Sequence, residues 1–144
     1  MKSMIATASV LTGLLLTTSF SAIAADSTAM IDAASGVYQG RLTCVTCNKG
    51  APKDYDFEVD IMSIDASSGK VVIKVTSDFY RNKEIVRKNC LLDAAKPGLA
   101  FNCKGDTWHE DYEVKGDSVK ADAITSGSGN KNFVYYMSAT KVKK

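Results

Sequence analysis

In the stretch Tyr55-Asp56-Phe57-Glu58-Val59-Asp60-Ile61 every odd position is apolar and every even position is acidic. A period of two is that of a strand with one face in a core and the other in water. The same period recurs on both sides. Tyr38, Gly40, Leu42 and Cys44 share one face upstream. Downstream, Ser67-Ser68-Gly69 marks a turn, and Val71, Ile73 and Val75 alternate with Lys74 and Thr76. A fourth strand is expected over Glu84 to Leu92. Leu99, Phe101 and Cys103 mark a fifth, and Trp108, Tyr112 and Val114 a sixth. Val119, Ala121 and Ala123 mark a seventh, and Phe133 to Val142 the eighth.

Tight-turn signals separate these runs: Pro97-Gly98, Gly105-Asp106, Gly116-Asp117 and Ser126-Gly127-Ser128-Gly129-Asn130. Short strands joined by tight turns predict an all-β, up-and-down antiparallel meander. Closure into a small eight-stranded, lipocalin-like barrel removes its edges. The alternative is a two-sheet β-sandwich. Asp26 to Ser35 is expected to form a short N-terminal helix, with Ser27 or Thr28 as cap and Gly36 past its end.

Residues 1–25 read as a secretory signal peptide. Lys2 supplies the positive start, Ile5 to Leu16 is uncharged and apolar, and Ala22-Ile23-Ala24 is a small-x-small cleavage site. The apolar run is too short for a stable span of ~20 residues, so no membrane anchor is expected after cleavage. Residues 26–144 then form a single β-domain in the periplasm or outside the cell. Lys2 is the only charge in the leader, so the remainder keeps all 16 acidic residues and a net charge near +1. Such a balance offers no case for nucleic acid.

The four cysteines, Cys44, Cys47, Cys90 and Cys103, all follow the leader, and an even number in an exported chain favours two disulfides. Register selects the pairing. In an antiparallel hairpin turning near Lys96-Pro97, opposed residue numbers have a constant sum. Cys90 opposite Cys103 then puts Leu92 opposite Phe101, all on one face. Opposed residues lie ~4.5–5.5 Å apart at Cα, within disulfide reach. Cys44 and Cys47 are left as a tight ring. A redox C-x-x-C needs a helix start, and Asn48-Lys49-Gly50-Ala51-Pro52 is not one. Zinc needs four ligands, and a second such pair is missing. No metal or other cofactor is expected.

No catalytic set emerges, and the protein is not expected to be an enzyme. His109, the single histidine, stands in Trp108-His109-Glu110-Asp111 without a nucleophile or oxyanion site, and reads as exposed among charges. Asp54, Asp56, Glu58 and Asp60 form an acidic stripe, read as a solvated sheet face with a basic partner or calcium as alternatives. The candidate partner-binding residues are Ser126, Gly127, Ser128, Gly129 and Asn130 with Tyr135 and Tyr136. Recognition commonly sits on loops of a rigid scaffold, and of two adjacent tyrosines one faces the core and the other the surface.

Tyr38-Gln39-Gly40-Arg41-Leu42-Thr43-Cys44-Val45-Thr46-Cys47-Asn48-Lys49-Gly50 resembles the opening strand of the N-terminal module of NlpE-type copper-resistance and envelope-stress lipoproteins. That family reads Y-x-G-x-L-P-C-A-D-C-x-G. The resemblance implies a small lipocalin-like barrel and carries over Cys44 and Cys47. It departs at Thr43, at Val45-Thr46 and in the missing lipid-anchor cysteine. The loop Ser126–Asn130 is similar in composition to the cleft-plugging loop of periplasmic lysozyme inhibitors, although no cysteine follows it here.

These features suggest a periplasmic inhibitor or immunity-type protein whose partner is another protein, such as a peptidoglycan-degrading cell-wall hydrolase. The alternatives are a calycin-like barrel for a small ligand or metal, an envelope-stress module, and a C-x-x-C redox protein. A homodimer is compatible with the sequence. A filled barrel would fit a protein binder. An apolar cavity with a few polar groups would fit a ligand binder.

Overall fold

A computed structural model of the chain describes residues 28–47, 51–127 and 131–142. The expected leader, residues 1–25, and the loop residues Ser128, Gly129 and Asn130 lie outside the described residues, as do the side chains of Ser126 and Gly127. A short helix over residues 28–34 precedes eight strands. They are β1 (Gly36–Cys44), β2 (Lys53–Asp65), β3 (Lys70–Thr76), β4 (Glu84–Leu92), β5 (Leu99–Lys104), β6 (Trp108–Lys115), β7 (Ser118–Gly127) and β8 (Lys131–Lys141).

Each strand pairs antiparallel with the next, and β8 returns to β1, so the sheet closes. The architecture is a lipocalin-like barrel, and the sandwich alternative is set aside. The period-two reading holds along β2, where Phe57, Val59 and Ile61 are buried and Asp54 and Asp56 exposed. The acidic stripe lies outside, among polar neighbours. The Thr43 hydroxyl donates to Asp54 at 2.7 Å, and the Gln39 amide to Glu58 at 2.8 Å.

Two bulges break the alternation. Ile61 and Ser63 on β2 face the consecutive Ile73 and Val72 on β3, so Met62 is the extra residue. Val71 and Ile73 on β3 face Cys90 and Arg87 on β4, which leaves an extra residue in Lys88–Asn89. Both of those side chains are exposed. A bulge re-aims the side chains beyond it. Here it turns Arg87 toward the lumen on the same side as Cys90.

Both disulfides form as the register argument expects. Cys90 pairs with Cys103 and Leu92 with Phe101 across the β4–β5 hairpin. Cys44 closes a ring with Cys47. The β4–β5 ladder has only three residue pairs, so the Cys90–Cys103 bridge sits on the most weakly hydrogen-bonded seam of the barrel.

The helix plugs one end. Ala34 is buried, and the Tyr38 hydroxyl donates to the Ala34 carbonyl at 2.8 Å. Lys141 reaches over the Tyr38 ring and bonds the Ala33 carbonyl. β1 and β8 approach so closely that a Cβ on Gly40 would stand 1.9 Å from the Ser138 carbonyl oxygen, so only glycine fits there. The opposite end is formed by the C-terminal ends of β1, β3, β5 and β7, and this rim carries the candidate site.

Candidate functional site

Glu110 points into the barrel and is 0 % exposed. Alternation along β6 puts it on the same face as Trp108, Tyr112 and Val114. Around the barrel it stands in one row, Cys90, Cys103, Glu110, Ala123, Tyr135 and Cys44, so both disulfides flank it. Ala123 is small and lies between Glu110 and Tyr135, which leaves room for the long tyrosine to reach the carboxylate.

Four donors converge on this carboxylate. The hydroxyls of Tyr112 and Tyr135 donate from 3.0 and 2.9 Å, and that of Tyr80 from 3.2 Å. Arg87 donates through Nη2 at 3.0 Å and forms the ion pair. The Arg87 side chain is 12 % exposed, and its guanidinium lies 3.7 Å from the centre of the Trp108 ring. A Cβ on Gly105 would collide with that indole, so glycine allows the ring to fold back over the β5–β6 turn. Among the described residues, the buried Nε of Arg87 has no hydrogen-bond partner.

Tyr80 differs in origin from the other donors. It arrives from the loop over residues 77–83, which closes the rim between β3 and β4. The loop is tight: Ser77 N–H donates to the Lys83 carbonyl, and Lys83 N–H to that of Tyr80. Lys83 holds a left-handed conformation, φ 57°. The Ser77 hydroxyl anchors the base by donating to the Asp56 carbonyl at 2.6 Å. Phe79 packs on Tyr55, Tyr80 and Tyr135 at centroid distances of 5.4, 5.3 and 4.8 Å. Phe79 and Tyr80 therefore form an aromatic lid over the charged pair.

Burial, followed by the negative charge of Glu110, pushes the phenols of Tyr80 and Tyr112 well above their ordinary range and also raises Tyr135. Burial works against the charge of Arg87, but the adjacent carboxylate keeps its proton more firmly held than usual. Each tyrosine keeps its proton more tightly folded than unfolded. The cluster's stability is therefore complete below the unfolded tyrosine pKa of about 10 and declines as pH rises above it. A titration followed by tyrosinate absorbance should show these three phenols ionising only together with alkaline unfolding. Their ionisation near pH 10 in folded protein would contradict the cluster.

The residues expected to bind a partner separate here. Tyr135 is 1 % exposed and belongs to the lumen cluster, so it is not a surface contact. Tyr136, 49 % exposed, points outward from β8 near Ile124. The backbone of Ser126 and Gly127 extends β7 toward the same rim, paired with Asn132 and Lys131. His109 is exposed as expected, with Nε2 3.0 Å from Asp111 Oδ1. Cys44 and Cys47 brace the rim as a disulfide, packed against the core.

No family model matches the chain, and no curated protein matches it. Among solved structures it is similar to an S-type phycobiliprotein lyase, CPES, from Guillardia theta, with 10 % identity and a TM-score of 0.43 over 82 % of this chain and 93 % of that one.

Proposed function

We propose that this protein is a calycin-like binding barrel that holds a small organic ligand at the rim, between the 77–83 loop and the Arg87–Glu110 pair. The observation that carries this reading is the buried carboxylate of Glu110, with four donors gathered from three strands and a loop. A small barrel does not need a charged pair to fold, since apolar residues of similar volume commonly stabilise as well or better. Convergent polar groups among aromatic walls are what a small-molecule site offers. Phe79 and Tyr80 enter the core at the rim from a loop rather than from the barrel wall, so they can leave without dismantling the wall. The role is binding rather than catalysis, because all three phenols are committed as donors and hold their protons firmly. Two disulfides suit an oxidising compartment such as the periplasm.

Trp108, the chain's single tryptophan, stacks on Arg87 and reports directly on the site. Protein incubated with an organic extract of the cell envelope should show a bound small molecule by native mass spectrometry, with a matching change in Trp108 fluorescence. The double variant Arg87→Met, Glu110→Gln, which strands no charge, should weaken that binding by at least about tenfold, the worth of one charge-assisted hydrogen bond, with circular dichroism checking the fold. No bound species and no fluorescence change would refute the reading.

A second reading, an inhibitor or immunity-type protein acting on a cell-wall hydrolase, draws on the outer face of the same rim. Ile124 there is 54 % exposed beside Tyr136. Under that reading Ile124→Asp with Tyr136→Ala abolishes partner capture and leaves small-molecule binding intact.

A further inference from the structure

Resting on the binding reading above, we propose that the ligand is an uncharged planar aromatic carrying a hydroxyl beside a second oxygen, a catechol-like group, and that it takes the place of Tyr80. Tyr80 is the one donor to Glu110 that comes from a loop, and its 3.2 Å hydrogen bond is the longest of the four. When its side chain withdraws, Oε1 keeps Arg87 and Tyr135, but the fully buried carboxylate falls from four donors to three. A ligand hydroxyl that donates in the same place restores the fourth.

The second oxygen follows from Arg87. Among the described residues its buried Nε has no acceptor, although three of the groups around the pair are hydroxyls already turned toward Glu110. A ligand oxygen next to the donating hydroxyl supplies that acceptor. The ring follows from the walls. Tyr80 lies 5.7 Å from the Arg87 guanidinium and edge-on to Phe79, and Arg87 lies on Trp108. A flat π system keeps these contacts. Charge is excluded because Arg87 and Glu110 already neutralise each other. An anion would meet the carboxylate, and a cation the guanidinium. Tyr80 vacates the space of one ring beside Phe79, and a second fused ring extends from it along the rim.

The test is calorimetric titration of 2,3-dihydroxynaphthalene, 2-naphthol and 2-methoxynaphthalene into the wild-type chain, Tyr80→Ala and Phe79→Ala, with circular dichroism checking the fold. Tyr80→Ala removes the competing side chain and should bind the dihydroxy probe at least about tenfold more tightly than wild type. In that variant 2-naphthol, which lacks the second oxygen, should bind about tenfold more weakly, and the methoxy probe, which cannot donate, on the order of a hundredfold more weakly. Phe79→Ala loosens the lid without touching Glu110 and should preserve the order of the three probes. It carries the comparison should Tyr80→Ala fail to fold. Equal affinity for the three probes would overturn the donor–acceptor assignment, and no tightening in folded Tyr80→Ala would overturn the role of Tyr80. If none of the probes binds while the envelope extract still yields a bound molecule, the ligand class is wrong and the binding barrel stands. If the extract yields none either, both readings fall.

Discussion

Arg87→Met should destabilise the folded protein by about 3–5 kcal/mol, the usual consequence of stranding one member of a buried ion pair. Methionine fills much of the arginine's volume and keeps the contact with Trp108, so the loss is electrostatic. Glu110 is left fully buried, held only by three neutral hydroxyls. The double variant Arg87→Met, Glu110→Gln removes both charges and keeps an oxygen to accept from the tyrosines. It should recover most of the loss, because the pair contributes little beyond mutual compensation. Urea unfolding followed by circular dichroism measures both. A loss below about 1 kcal/mol for Arg87→Met would place the pair in the range of solvent-screened surface bridges and remove the physical basis of the site.

The second large effect concerns the β4–β5 seam. Replacing Cys90 and Cys103 by alanine should cost about 2–5 kcal/mol, as loss of a native bridge from a small domain does. Two causes combine. The bridge closes a loop between residues 13 apart in sequence, and only three ladder pairs otherwise join these strands. Amide exchange along β4 and β5 should accelerate before the rest of the barrel loosens. The Cys44, Cys47 double alanine should cost less, because its ring spans a separation of three residues and constrains the unfolded chain weakly. Non-reducing peptide maps identify the bridges. Equal costs for the two variants would show that loop closure and the short seam do not govern the effect.

Much of the wall can be read from the chain itself. Residues 55–61 specify a strand because their alternation has one satisfactory burial, and the turns at Pro97-Gly98 and Gly116-Asp117 specify hairpins through local backbone chemistry. The Cys90–Cys103 pairing follows from that local register. The candidate site is less accessible. Alternation from Trp108, Tyr112 and Val114 puts Glu110 on the inner face, but a carboxylate flanked by His109 and Asp111 has the composition of a solvated strand segment. Its burial is tolerable only because donors arrive from residues 80, 87, 112 and 135, and no local pattern announces their convergence.

Arg87 shows the same limit from another side. Strict alternation back from Cys90 would turn Arg87 outward. The bulge at Lys88–Asn89 reverses it, and that bulge arises from pairing with β3 rather than from a turn residue in β4. Tyr135 and Tyr136 are likewise equivalent as a pair in sequence. Pairing with Cys44 and Ala123 puts Tyr135 in the lumen and leaves Tyr136 outside. The sequence by itself determined the strands, the meander and the bridge across one hairpin, because these depend on neighbours a few residues apart. Only the closed barrel decided which charges and phenols meet inside it, because burying a carboxylate requires long-range partners that exist once every strand is in register.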